Sequence, residues 1–196
     1  MSGLKPESKI WDNFRQGDKL ALSQIYNHHA DLLFGYGMKF STDRDLIKDT
    51  IQDLFIDLIH TRANLGPTNN IRFYLMRSFR RKLVQNLKQK NAVENGGMLS
   101  FEPVIVFSCE EELIGRESRS ERDKLLYRSL NELNPRQREI LYYRFSCNLE
   151  YPEICEIMSL KYDSARKLVF RALESLKCIL GETNILQLLF ITFLRR

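Results

Sequence analysis

The chain has 196 residues, with 30 Lys and Arg against 25 Asp and Glu, a formal net charge of +5. That length holds two small domains with a modest core each, and the basic balance suits an anionic partner. No run of about 20 apolar residues is available to span a membrane, and the first ten residues are too polar to open a secretory signal.

In chain order, Leu22, Ile25, Tyr26, His29, Leu32, Leu33, Tyr36 and Phe40 trace one apolar stripe and predict a helix over about 19–40. Asp43 and Asp45 start a second helix, whose buried side is Ile47, Ile51, Leu54, Phe55, Leu58 and Ile59. Its other side shows Asp49, Gln52, Asp53, Ile56 and Asp57. An exposed Ile in an acidic patch is either ordinary surface or a docking face for a basic partner, and spacing alone does not decide.

After Asp57 the charge changes sign. From His60 to Val93 there is no Asp or Glu, while Arg62, Arg72, Arg77, Arg80, Arg81, Lys82, Lys88 and Lys90 are present. Phe73, Tyr74 and Phe79 are interleaved with these cations, a composition that suits single-stranded nucleic acid, since charge holds phosphates while rings stack on unpaired bases. Leu75, Phe79, Leu83 and Leu87 repeat every four residues and are expected in the core. The stretch from Asn64 to Arg72, with Gly66-Pro67 and Asn69-Asn70, interrupts the helices and can present a pocket.

Residues 91–120 read as a linker, interrupted by Asn95-Gly96-Gly97 and Pro103, with the acidic run Glu110 to Glu112 starting a new helix. The apolar run Val104 to Phe107 is assigned to that linker, because an isolated strand would have no partner.

Beyond it, Asn134, with Pro135 and Gln137 behind it, carries the signature of a capped helix start. A short helix, Pro152 to Met158, would bury Ile154 and Ile157, and Ser159-Leu160-Lys161 would make a turn. In the next helix Ala165, Leu168, Val169, Ala172, Leu173 and Leu176 form an apolar back, and Ser164, Arg166, Lys167, Phe170, Arg171 and Lys177 a largely cationic front. Such a front is commonly only a solvated face. The tight connection and the clustering of cations on the last helix favour a helix-turn-helix with a DNA-recognition helix. Over 183–196 an apolar tail helix is expected, capped by Thr183 or Asn184; it is either an extra packing helix or an autoinhibitory mask.

The fold class is therefore all-α: two small helical domains, 10–90 and 121–178, joined by a flexible linker, the C-terminal one a helix-turn-helix. The four cysteines, at 109, 147, 155 and 178, lack metal-ligand spacing, and His28, His29 and His60 add no ligand set, so neither metal nor cofactor is expected. Unpaired thiols suit a reducing cytoplasm. With no glycine-rich phosphate loop and no nucleophile–base–acid set, a non-enzyme is expected.

Two tracts carry a family resemblance. Tyr151-Pro152-Glu153-Ile154-Cys155-Glu156-Ile157 and Arg171-Ala172-Leu173 resemble the fourth conserved region of bacterial sigma factors, where Tyr-Glu-Glu-Ile-Ala-Glu-Ile precedes the turn and Arg-Ala-Leu closes the recognition helix. Pro152, Cys155 and Ser159 depart from the usual acidic residue, Ala and turn Gly. Lys48-Asp49-Thr50-Ile51-Gln52-Asp53-Leu54-Phe55 is similar to the Glu-Asp-Leu-Val-Gln-Glu-Val-Phe tract of the second region. The two regions in this order, covering about 10–90 and 120–178 and joined by a linker, resemble the extracytoplasmic-function class.

The resemblance implies a sigma factor that binds core RNA polymerase and directs promoter recognition and melting. It implies that Asp49, Gln52, Asp53, Ile56 and Asp57 dock on the clamp helices of the largest polymerase subunit. Asn69, Asn70, Phe73, Tyr74, Arg77, Arg80 and Arg81 would meet the melted non-template strand of the minus-ten element. The family's Trp-Leu pair appears there as Tyr74-Leu75, while its Arg-Asn and downstream Asp are not kept. Ser164, Arg166, Lys167, Phe170 and Arg171 would read minus-thirty-five duplex DNA, and an anti-sigma factor would be a further partner. The alternatives are a stand-alone helix-turn-helix transcriptional regulator and a protein-binding adaptor.

Overall fold

The computed structural model describes residues 7–94, 104–107 and 121–180, which fall into two compact units, Met1–Phe101 and Glu102–Arg196. Among the described residues every regular element is helical.

The first unit packs α1 (Glu7–Arg15), α2 (Lys19–Gly37), α3 (Arg44–Thr61) and α4 (Ile71–Glu94). Local side chains set the helix starts. Asp18 accepts from Leu20 N at 2.8 Å, Asp43 from Leu46 N at 3.0 Å and Asn70 from Phe73 N at 2.9 Å, each satisfying an amide that has no partner inside its helix. Gly17, at φ +94°, makes the α1–α2 turn in a conformation that a Cβ would oppose. Gly37 lets α2 approach α3, since a Cβ there would come within 2.7 Å of Ile47. The core contains Trp11, Leu33, Tyr36, Ile47, Leu75, Phe79 and Leu83, with Ile51, Leu54, Phe55 and Leu58 buried on α3 as the spacing predicts.

Three details of the first unit differ from the sequence expectation. Helix α1 extends it to Glu7, and Trp11 and Phe14 on α1 are core residues. The apolar stripe of α2 is narrower than expected: Ile25, His29, Leu33 and Tyr36 are buried, Leu22 and Leu32 are half-buried, and Tyr26 is exposed with its ring edge-on to Phe55 at 5.0 Å. Burial also holds the His29 imidazole below its ordinary pKa, reinforced by the neighbouring His28 and opposed by Glu7. Finally, α4 continues to Glu94, so residues 91–94 are helical rather than linker.

The second unit is built from α5 (Glu121–Glu132), α6 (Pro135–Leu141), α7 (Tyr151–Met158) and α8 (Tyr162–Leu180). Asn134 and Gln137 form the expected capping box. After α6 the chain widens into one π-helical turn, Tyr142–Ser146, which is followed by Asn148 in the left-handed region. A second capping box, between Glu150 and Glu153, starts α7, with Pro152 in its first turn as expected.

Ala165, Val169, Ala172 and Leu176 of α8 are buried, whereas Leu168 and Leu173, expected in the same stripe, are only half-buried. Ser159 sits at φ 54°, ψ 49°, the position where the resembling tract has Gly. A residue with a Cβ is strained there by roughly 1–2 kcal/mol. Ser159→Gly is accordingly expected to stabilise this unit by about 1 kcal/mol, visible as a rise in Tm. An unchanged Tm would show that the turn is unstrained.

The largest departure concerns Val104 to Phe107. It forms no strand, as expected, yet it is not free linker. Ile105 and Phe107 are fully buried, and Phe107 exchanges both backbone hydrogen bonds with the Asn131 side chain, at 3.0 and 2.7 Å. Arg138 completes the strap. Its guanidinium donates to the carbonyls of Ile105 (2.8 Å), Asn131 (2.6 Å) and Leu133 (2.9 Å). Burial lowers its pKa from the ordinary guanidinium value, and the carbonyls at the end of α5 supply the opposing partial charge. The start proposed for a helix at Glu110 to Glu112 and the tail helix 183–196 lie outside the described residues.

Candidate nucleic-acid interfaces

The front of α8 follows from its back. Burying Ala165, Val169, Ala172 and Leu176 turns Ser164, Arg166, Lys167, Phe170 and Arg171 outward, and all five are exposed. Arg166, Lys167, Phe170 and Arg171 line one open groove of about 330 Å³, together with Asp163. Phe170 is 65% exposed in the middle of these cations. Guanidinium and ammonium groups can take phosphates or guanine acceptors, and an exposed ring can meet a thymine methyl. Asp163 is absent from the sequence-derived set. Its signal was present: it lies three and four residues before Arg166 and Lys167, on the same helix face.

On α3, Asp49, Gln52, Asp53 and Ile56 are exposed along one stripe opposite the buried side, with Ile56 at 41%. Asp57 is exposed too, but its carboxylate pairs with Lys82 of α4 at 2.7 Å. Asp49 and Asp53 make no ion pair among the described residues, so they carry the negative charge of this face.

The loop before α4 is held from the far end of the unit. Trp11 donates from Nε1 to the Gly66 carbonyl at 2.8 Å, and Glu7 accepts from Ile71 N at 3.1 Å, 64 residues away in sequence. Asn69 is exposed, while the side-chain oxygen of Asn70 is engaged in capping α4. Phe73 and Tyr74 are half-buried, and the Tyr74 ring packs on Trp11 at 5.0 Å between centroids. Arg77 and Arg81 are exposed one turn apart, and Arg80 is half-buried. The structure thus leaves Asn69, Arg77 and Arg81 as exposed polar groups of the loop and α4. It uses Asn70, and one face of Tyr74, for the fold itself.

Among the described residues no group of three His, Cys, Asp or Glu side chains is placed to hold a metal, and no helix is long and apolar enough to cross a membrane.

With this geometry in place, residues 123–176 match the family "Sigma-70, region 4", a span that covers α5 to α8 except for their outermost residues. No curated protein matches the chain. Among solved structures, one similar to it is CnrH in complex with the cytosolic domain of CnrY, at 16% identity and a TM-score of 0.61, covering 92% of this chain and 100% of that one. Another is the sigma factor RpoE in complex with the anti-sigma factor NepR from Bartonella quintana, at 17% identity and a TM-score of 0.58, covering 83% of this chain and 97% of that one. Residues 123–176 are thus similar to sigma-70 region 4, and the chain shares the helical fold of these two solved structures.

Proposed function

We propose that this chain is a sigma subunit, a non-enzymatic cytoplasmic protein that binds core RNA polymerase, directs it to promoters and assists melting for transcription initiation. The observation that carries this reading is the cationic groove of α8, which lies within the region 4 match on a chain whose other unit presents an acidic, partly apolar face on α3. In this assignment residues 121–178, through Ser164, Arg166, Lys167, Phe170 and Arg171, read minus-thirty-five duplex. Residues 10–90 bind polymerase and the minus-ten element. Asn69, Arg77 and Arg81 meet the melted non-template strand, with Asn70, Phe73, Tyr74 and Arg80 shaping the loop and helix that present them.

Asp49, Gln52, Asp53 and Ile56 form the docking face for a basic surface of the polymerase, and Asp57 joins that face to α4 through Lys82. The two similar solved structures named above are complexes, one with the cytosolic domain of CnrY and one with an anti-sigma factor. An anti-sigma factor is accordingly a further partner of this chain.

Asp53→Lys is expected to weaken binding to core polymerase at least tenfold, because it places a cation against a basic surface, where like-charge contact costs several kcal/mol. The position is exposed, so the fold should survive. Undiminished co-purification of a folded Asp53→Lys protein with core would move the docking face elsewhere. The function itself is tested by partner dependence in a mobility-shift assay on promoter-bearing duplexes. A sigma subunit binds weakly alone and specifically with core polymerase. Tight binding by the free chain to paired half-sites would make it a stand-alone regulator instead.

A further inference from the structure

The cationic groove of α8 contains one group that does not belong on a surface built only to approach phosphates. Asp163 lines it beside Arg166, Lys167, Phe170 and Arg171, in the first turn of the helix. It is exposed and makes no hydrogen bond or ion pair among the described residues, although Arg166 and Lys167 follow it at the spacings where an intrahelical ion pair forms. The N-terminal turn of a recognition helix is the part that reaches base edges. A carboxylate at that point repels phosphate oxygens and can only accept hydrogen bonds.

The chemistry of the base edges narrows what it can meet. In the major groove guanine shows two acceptors at N7 and O6, and thymine shows O4, so all three atoms repel a carboxylate. Adenine offers its N6 amino group, but with the N7 acceptor beside it. Cytosine offers its N4 amino group alone.

We propose that Asp163 is a specificity-determining residue that selects a cytosine in the upstream promoter element by accepting a hydrogen bond from its N4 amino group. This rests on the reading of the chain as a promoter-binding subunit. Within the groove, Asp163 supplies the acceptor, Arg166, Lys167 and Arg171 supply donors, and Phe170 supplies the apolar contact. The surface therefore carries complements to different base edges rather than a uniform positive field. A purely structural role is the competing account, since an acidic residue in the first turn stabilises a helix through its dipole. That role would change overall affinity or stability without changing which base is preferred.

The test is selection from a duplex DNA library with a randomised upstream tract, using the full chain assembled on core RNA polymerase, with wild type, Asp163→Asn and Asp163→Ala in parallel. Wild type should enrich cytosine at one position by about tenfold, the scale of a good side-chain–base contact. Asp163→Asn should move the preference at that position to adenine, because an amide can donate to N7 while accepting from N6. Asp163→Ala should leave that position without preference while the other positions keep theirs. If all three proteins select the same sequence, or the variants lose affinity equally at every position, Asp163 acts on the helix and not on the base, and the proposal is overturned. If wild type on core selects no sequence at all, the promoter-binding reading fails, and this inference falls with it.

Discussion

Arg138→Met is expected to destabilise the second unit by about 3 kcal/mol or more, although methionine keeps most of the aliphatic volume. The guanidinium satisfies carbonyls of Ile105, Asn131 and Leu133, and the bond to Ile105 and that to Leu133 are buried. Each carbonyl left unsatisfied in the interior costs on the order of 1–3 kcal/mol, reduced where the chain relaxes toward water. The easiest relaxation releases Val104 to Phe107, whose Ile105 carbonyl loses the Arg138 donor. Phe107 would then lose its cover, and its paired bonds with Asn131 would open. Thermal denaturation of the full chain should show a lower Tm for the unit containing α5 to α8. A loss below about 1 kcal/mol would mean that the strap contributes little.

Trp11→Ala is expected to have the other large effect, about 3–5 kcal/mol on the first unit, the usual range for deleting a large buried aromatic. Trp11 is 0% exposed, and its ring contacts both Phe14 and Tyr74. A gentler change separates packing from positioning. Trp11→Phe keeps a ring in the core but removes the Nε1 donor from the Gly66 carbonyl. That variant should stay folded at 37 °C while the loop before α4 loosens, so promoter opening, read by permanganate reactivity of unpaired thymines, should fall further than stability does. A Trp11→Phe protein with normal opening would show that the loop needs no anchor from α1.

Local signals proved readable. Asn134 with Gln137 gave its capping box, Asp43 its helix start and Pro152 its place in a first turn, because each is decided by atoms within four residues. The period of the α8 back put the cations of its front outside for the same reason. What the sequence concealed depends on distant partners. A polar opening decade hid a helix whose Trp11 finds its partner at Gly66. Arg138 and Asn131 look like ordinary helix-surface residues until Ile105 and Phe107 arrive from 24–33 positions away. Tyr26 was misplaced because the crossing of α2 over α3 selects a narrow stripe, and nothing in the spacing of α2 fixes that crossing. Asp163 was legible by position, but an acidic first-turn residue is so common that its place in the groove decided the matter.

Whether this chain lends promoter choice to a polymerase is measured most directly by run-off transcription. Purified core RNA polymerase is given genomic promoter fragments with and without the full chain. Discrete run-off products are expected only when the chain is present, and they should be lost when Asp53→Lys replaces wild type. Identical products with and without the chain, or specific DNA binding that core polymerase does not improve, would contradict that role.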